Sequence, residues 1–110
     1  AERGMAMGFR SEFNSICKFK NDKELYDLLE YGKTAMVKSG FRIYPTGEYA
    51  IAYAPDNRAV AMVKITASIA EITFQGEEST KVEMDLVRKL TDEESRVLTA
   101  LAQEMYFSRP

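Results

Sequence analysis

From Phe9 onward, hydrophobic and polar positions alternate with a period of two. Phe9, Phe13, Cys17 and Phe19 fall on one side of an extended chain, with Ser11 and Ser15 between them. Arg10, Glu12, Asn14, Lys18 and Lys20 fall on the other, and Ile16 is the exception. This is the pattern of a half-buried strand. The period then changes. In "NDKELYDLLEYGKTAMVKSG", Asn21 followed by Glu24 resembles a capping box, and Leu25, Leu28, Leu29 and Met36 recur at helical spacing. Gly32 lies on the same stripe, where a glycine costs about 1 kcal/mol relative to alanine, and Gly40 stands where a helix would close. A first helix running from Asn21 to Gly40 is expected.

The next stretch, "GFRIYPTGEYAIAYAPDNRAVAMVKI", carries two turn signals. "YPTGE" places Pro45 and Gly47 as a type I turn with a glycine bulge requires. A hairpin there pairs Tyr44 with Glu48, Ile43 with Tyr49 and Phe41 with Ile51. Phe41, Ile43, Tyr49, Ile51 and Tyr53 then share one face, and Arg42, Tyr44, Ala50, Ala52 and Ala54 share the other. "PDNR", centred on Asp56 and Asn57, is the second turn. Beyond it, 59 to 65 is apolar on both sides. Ile69 to Phe74 and Val82 to Leu86 each alternate apolar with polar residues, as strands with one wet face do. Thr91 with Glu94 forms a capping box, Asp92 and Glu93 suit a helix N-terminus, and Val97, Leu98, Leu101 and Met105 mark a buried stripe. The reading is α+β: an antiparallel sheet of five to six strands with two helices, in the order β-α-β-β-β-β-β-α. Residues 1 to 8 are expected to be a flexible arm, and 9 to 107 a single domain.

Composition narrows the chemistry. The chain of 110 residues is 45% hydrophobic and 29% charged, as a soluble globular domain is. No apolar run approaches the ~20 residues of a membrane span, and "AERGMAMGF" lacks the apolar core of a signal peptide. One cysteine forms no internal disulfide, which fits the reducing cytoplasm. Histidine is absent, which removes the usual general base, the commonest metal ligand and any histidine-activated nucleophile. Zinc is excluded in practice. No catalytic residue, metal ligand or cofactor is expected.

Three motifs have plainer explanations. "YGKT", residues 31 to 34, ends like a phosphate-binding loop, but the partner glycine position holds Asp27. Cys17 on an apolar side reads as a core thiol. Glu77, Glu78, Asp92, Glu93 and Glu94 read as solvated or capping carboxylates rather than a metal or glycosidase site. The feature that asks for a function is the central pair of strands, 49 to 54 and 59 to 63, neither of which contains a charge. Burial on both faces implies that something covers the second one. Tyr49, Ile51, Tyr53, Val60 and Met62 have the composition of an interface core, which points to a regulatory or binding protein acting on another protein, foremost as a homodimer. The alternative is a nucleic-acid-binding surface of Arg42, Tyr44, Arg58, Lys18 and Lys20, combining phosphate contacts with a stacking ring. The net charge of -2 disfavours it.

Overall fold

A computed structural model describes residues 12–13 and 16–107. The expected arm, and Phe9, Arg10, Ser11, Asn14 and Ser15 of the expected first strand, lie outside the described residues. The chain forms β1 (Glu12–Phe13), β2 (Ile16–Lys18), α1 (Asp22–Tyr31), β3 (Lys33–Ser39), β4 (Arg42–Ile43), β5 (Tyr49–Tyr53), β6 (Ala59–Ile72), β7 (Glu78–Lys89) and α2 (Asp92–Ala102). A π-helical turn, Gln103–Phe107, continues α2. The α+β class expected from the pattern is what forms.

The first helix is half the expected length. Asn21 caps it, its side chain accepting from the Glu24 amide at 3.0 Å. Gly32 ends it at φ +81°, donating its N–H back to the Leu28 carbonyl at 2.9 Å. Met36 falls on both a helical and an alternating pattern. The left-handed glycine decides between them, and "KTAMVKS" with its β-branched Thr34 and Val37 continues as a strand.

The five-stranded sheet has the order β2-β5-β6-β7-β3, and β1 and β4 form a separate two-stranded ladder. The sheet is mixed, not purely antiparallel: β2 runs parallel to β5, and the other pairs are antiparallel. Topology supplies the reason. Between β2 and β5 the chain crosses to the far edge through α1, runs back along β3, and returns. The return segment, 40 to 48, is therefore a crossing and not one arm of a hairpin. Ile43 pairs with Phe13, and Ile51 with Ile16 on one side and Met62 on the other. A turn does form, but one residue later than expected: Gly47 takes φ +88°, and the Glu48 amide donates to the Pro45 carbonyl at 3.2 Å, which puts Pro45 at the first turn position and Gly47 at the third.

The expected strands 59 to 65 and 69 to 74 are one strand, β6, with a register shift between Ile65 and Ala67. Past Ile65, no strand pairs with its β5 side among the described residues. That stretch of β6 is therefore an open sheet edge, with Ile69, Ile72 and, in the turn beyond it, Phe74 exposed.

The two helices take opposite faces of the sheet. Beneath α1 lies the larger core: Cys17, Phe19, Leu25, Leu28, Met36, Tyr44, the alanines of β5, and Val63, Ile65, Val82 and Met84. Helix α1 packs on β3 and β7, and the alanines of β5 share this core with the rings of Phe19 and Tyr44. On the other face α2 builds a small cluster of Tyr53, Ala59 and Ala102, flanked by Ile51, Leu90, Leu98 and Phe107. Two hydrogen bonds fix α2 there: the Ala59 amide donates to Thr99 Oγ1 at 2.9 Å, and Ser95 Oγ donates to the Ala59 carbonyl.

Candidate functional site: the partly covered second face

The face expected to seek a partner is covered at one end from within the chain. Tyr53 is only 3% exposed. The Phe107 ring meets it edge-on, with centroids 5.5 Å apart and an interplanar angle of 77°. Tyr53 therefore belongs to the monomer's own core and is not an open contact residue. Its phenol has a raised pKa, first because it is buried and second because Tyr106 lies near. Val60 also leaves the set. A register shift next to Tyr53 pairs Tyr53 with Ala59 and Ala52 with Ala61, so Val60 is the extra residue and packs against the α1-side cluster.

Farther along the same face the cover stops. Ile51 and Met62 are half-buried, and Tyr49 is 61% exposed, its ring lying under Lys64 Nζ at 5.9 Å from the centroid. Val37 on β3 and Val87 on β7 are also exposed. Between them the surface is charged, with Lys81 and Glu83 at 3.7 Å. A shallow depression of about 510 Å3 is lined there by Lys33, Ala35, Thr66, Lys81, Glu83 and Asp85, among others.

Helix α2 adds a second apolar strip. Its sheet-facing side is Ser95, Leu98, Thr99 and Ala102, so the stripe expected to be buried turns partly outward. Leu101 is 49% and Met105 53% exposed, with Val97 and Tyr106 exposed beside them. Residues 97, 101 and 105 are four apart and so follow one side of the helix. The N-terminus of α2 is firmly held. Thr91 Oγ1 accepts from the Glu94 amide at 3.1 Å, and Glu94 accepts from the Thr91 amide at 3.0 Å. Arg88 grips the same carboxylate with two bonds of 2.8 Å each. The Arg88 guanidinium, followed by the Thr91 amide, lowers the Glu94 pKa to about 2.

The residues of the alternative surface do not assemble. Tyr44 is 3% exposed inside the α1-side core, so its ring cannot stack on a base. Arg58 closes the loop after β5, where the Asn57 amide donates to the Ala54 carbonyl and so centres the turn on Pro55 and Asp56 rather than on the expected Asp56 and Asn57; Arg58 lies 3.8 Å from Asp56. Lys18 lies over the Phe107 ring at 5.4 Å. Arg42 donates from Nε to the Ser39 carbonyl at 3.0 Å, and its amide donates to Thr80 Oγ1. Lys20 and Arg42 each lie close enough to a third cation to lower its pKa, and sequence reasoning missed that residue. That residue is Lys38, hidden by the overlong helix.

Among the described residues, no group of three or more histidine, cysteine, aspartate or glutamate side chains is placed to hold a metal. Cys17 is fully buried, and burial pushes its thiol up to about 12, against a smaller opposing pull from Lys38. It is held protonated and sheltered at neutral pH. No helix among the described residues is long and apolar enough to cross a membrane.

Against this geometry, comparison with known proteins gives one informative likeness. The solved structure of protein ytmB from Bacillus subtilis superposes with a TM-score of 0.59 at 21% identity, over 77% of this chain and 95% of that one. The likeness is one of fold. No protein-family model matches the chain, and no curated protein does. The architecture therefore has a solved counterpart.

Proposed function

We propose that the chain is a small non-enzymatic binding protein of the cytoplasm, regulatory in role, that acts through protein–protein contacts and pairs with a second copy of itself. The observation that supports this reading is the incomplete cover of the second sheet face. Tyr49 and Met62 continue the apolar surface that α2 closes over Tyr53 and Ala59, with Ile51 packed at the edge of that cluster. The helix that closes it carries its own open strip of Val97, Leu101 and Met105. Apolar strips edged by charges such as Lys64, Lys81 and Glu83 have the composition of an interface centre with a polar rim. The non-enzymatic part of the proposal draws on the absent histidine and on the sheltered, protonated Cys17.

Sedimentation velocity at tens of micromolar tests it. Wild type should run at twice the 12.5 kDa chain mass, and Tyr49→Glu or Leu101→Glu should shift it toward one. A wild-type monomer at that concentration sinks the dimer.

A further inference from the structure

Away from that face, the end of the sheet near the β6–β7 turn holds a second feature. A cleft of about 710 Å3 is lined by Lys20, Val37, Lys38, Ser39 and Gly40 on one side and by Thr73, Gly76, Glu77, Glu78 and Ser79 on the other. Its walls are built by backbone. The Gly40 amide donates to the Glu78 carbonyl and the Thr73 amide to the Glu77 carbonyl, each at 2.9 Å. Buried Thr80 braces the Gly40 corner, its hydroxyl donating to the Gly40 carbonyl at 2.8 Å and accepting from the Arg42 amide at 2.9 Å. The cleft is thus fixed by hydrogen bonds and not by side chains that can swing away.

Lys38 is the unusual group. It is half-buried, yet no carboxylate lies within ion-pair distance of either Lys38 or Lys20 among the described residues. The Lys38 ammonium donates to the Lys18 carbonyl, leaving two of its three protons for other partners. Its pKa is lowered, first by burial and then by the cations Arg42 and Lys20, while Cys17 and Glu24 oppose this weakly. Withdrawing a charge from water without a counter-charge in contact is costly, and an arriving anion offsets that cost.

We propose that Lys20 and Lys38 form the recognition end of a binding site for a compact oxyanion, phosphate or carboxylate, carried by a small molecule in this cleft. Glu77 and Glu78, at the start of the neighbouring strand, set the size of the ligand. An extended polyanion such as single-stranded nucleic acid meets like charge there, whereas a small anion sits at the lysine wall and leaves the acids solvated. The serine and threonine hydroxyls of Ser39, Thr73 and Ser79 supply neutral donors around it.

The test is thermal unfolding of the full chain in inorganic phosphate, citrate or chloride at matched ionic strength, followed by circular dichroism. A ligand at ten times its Kd raises Tm by about 7 °C in a domain of this size. The wild type should show that rise in phosphate or citrate over chloride. Lys20→Gln and Lys38→Gln should abolish it, and Glu77→Gln with Glu78→Gln should enlarge it. Lys20 is exposed, so its variant decides the matter even if Lys38→Gln does not fold. No rise in the wild type overturns the proposal. So does an equal rise in Lys20→Gln, which is the general stabilisation that excluded salts give any protein. A larger rise with a single-stranded oligonucleotide than with phosphate also overturns it, in favour of a nucleic-acid site.

Discussion

Gly32→Ala changes the sign of its effect according to where α1 ends. In the structure Gly32 sits at φ +81° as the left-handed residue that closes the helix, with its N–H bonded to the Leu28 carbonyl. An added Cβ meets nothing within 4 Å, so the cost is conformational and carries no packing contribution. Placing an L-residue in that region costs about 1–2 kcal/mol. Loss of backbone freedom in the unfolded chain returns roughly 0.4–1 kcal/mol. The net expectation is destabilisation by about 1 kcal/mol, which lowers Tm by about 5 °C. If instead one helix ran unbroken from Asn21 to Gly40, Gly32 would be an interior helix position, and alanine would stabilise by about 1 kcal/mol. Urea unfolding monitored by circular dichroism separates the two, because they differ by about 2 kcal/mol in opposite directions. A raised midpoint with an unchanged slope would refute the helix end, and with it β3 and the Lys38 wall of the cleft.

Four further outcomes follow from the core and the charged cap. Thr80→Val keeps the shape but orphans the Arg42 amide and the Gly40 carbonyl, and should cost about 1–3 kcal/mol in urea unfolding. A thiol reagent at neutral pH should label Cys17 only as fast as the protein opens. Because its folded pKa is raised from 9.0 to about 12, its contribution is complete below pH 9 and is lost as pH climbs toward 12, so Cys17→Ala should have a flatter alkaline stability profile than wild type. Glu94 has the opposite sign, its folded pKa being lowered from 4.5 to about 2. The stability that wild type holds over Glu94→Gln should be present above pH 4.5 and should fade as the pH falls toward 2.

Much of this fold was legible in local chemistry. The Asn21 and Thr91 caps, the turn glycine at Gly47 and the wet-faced strand of β7 all follow from side-chain period and backbone preference. What was not legible was non-local. Met36 fits a helix and a strand equally, and only the conformation of Gly32 breaks the tie. "YPTGE" encodes a turn but does not say whether the chain folds on itself or crosses the sheet, so the parallel pairing of β2 with β5 was hidden. The site suffered in the same way. Apolarity on both sides of β5 announced that the second face is covered, but whether α2 or another chain covers it depends on where Phe107 lands. It lands on Tyr53 and leaves Tyr49 open. Lys38 had no signal of its own while it was read as a helical residue.

The claim that the open part of the second face is a contact surface is tested most directly by the sedimentation of wild type beside Tyr49→Glu. Tyr49 is exposed, so glutamate there leaves the monomer fold intact. A wild type near twice the mass of the single chain, with the variant near one, is the predicted result. Wild type and variant both sedimenting as monomers at tens of micromolar would contradict it.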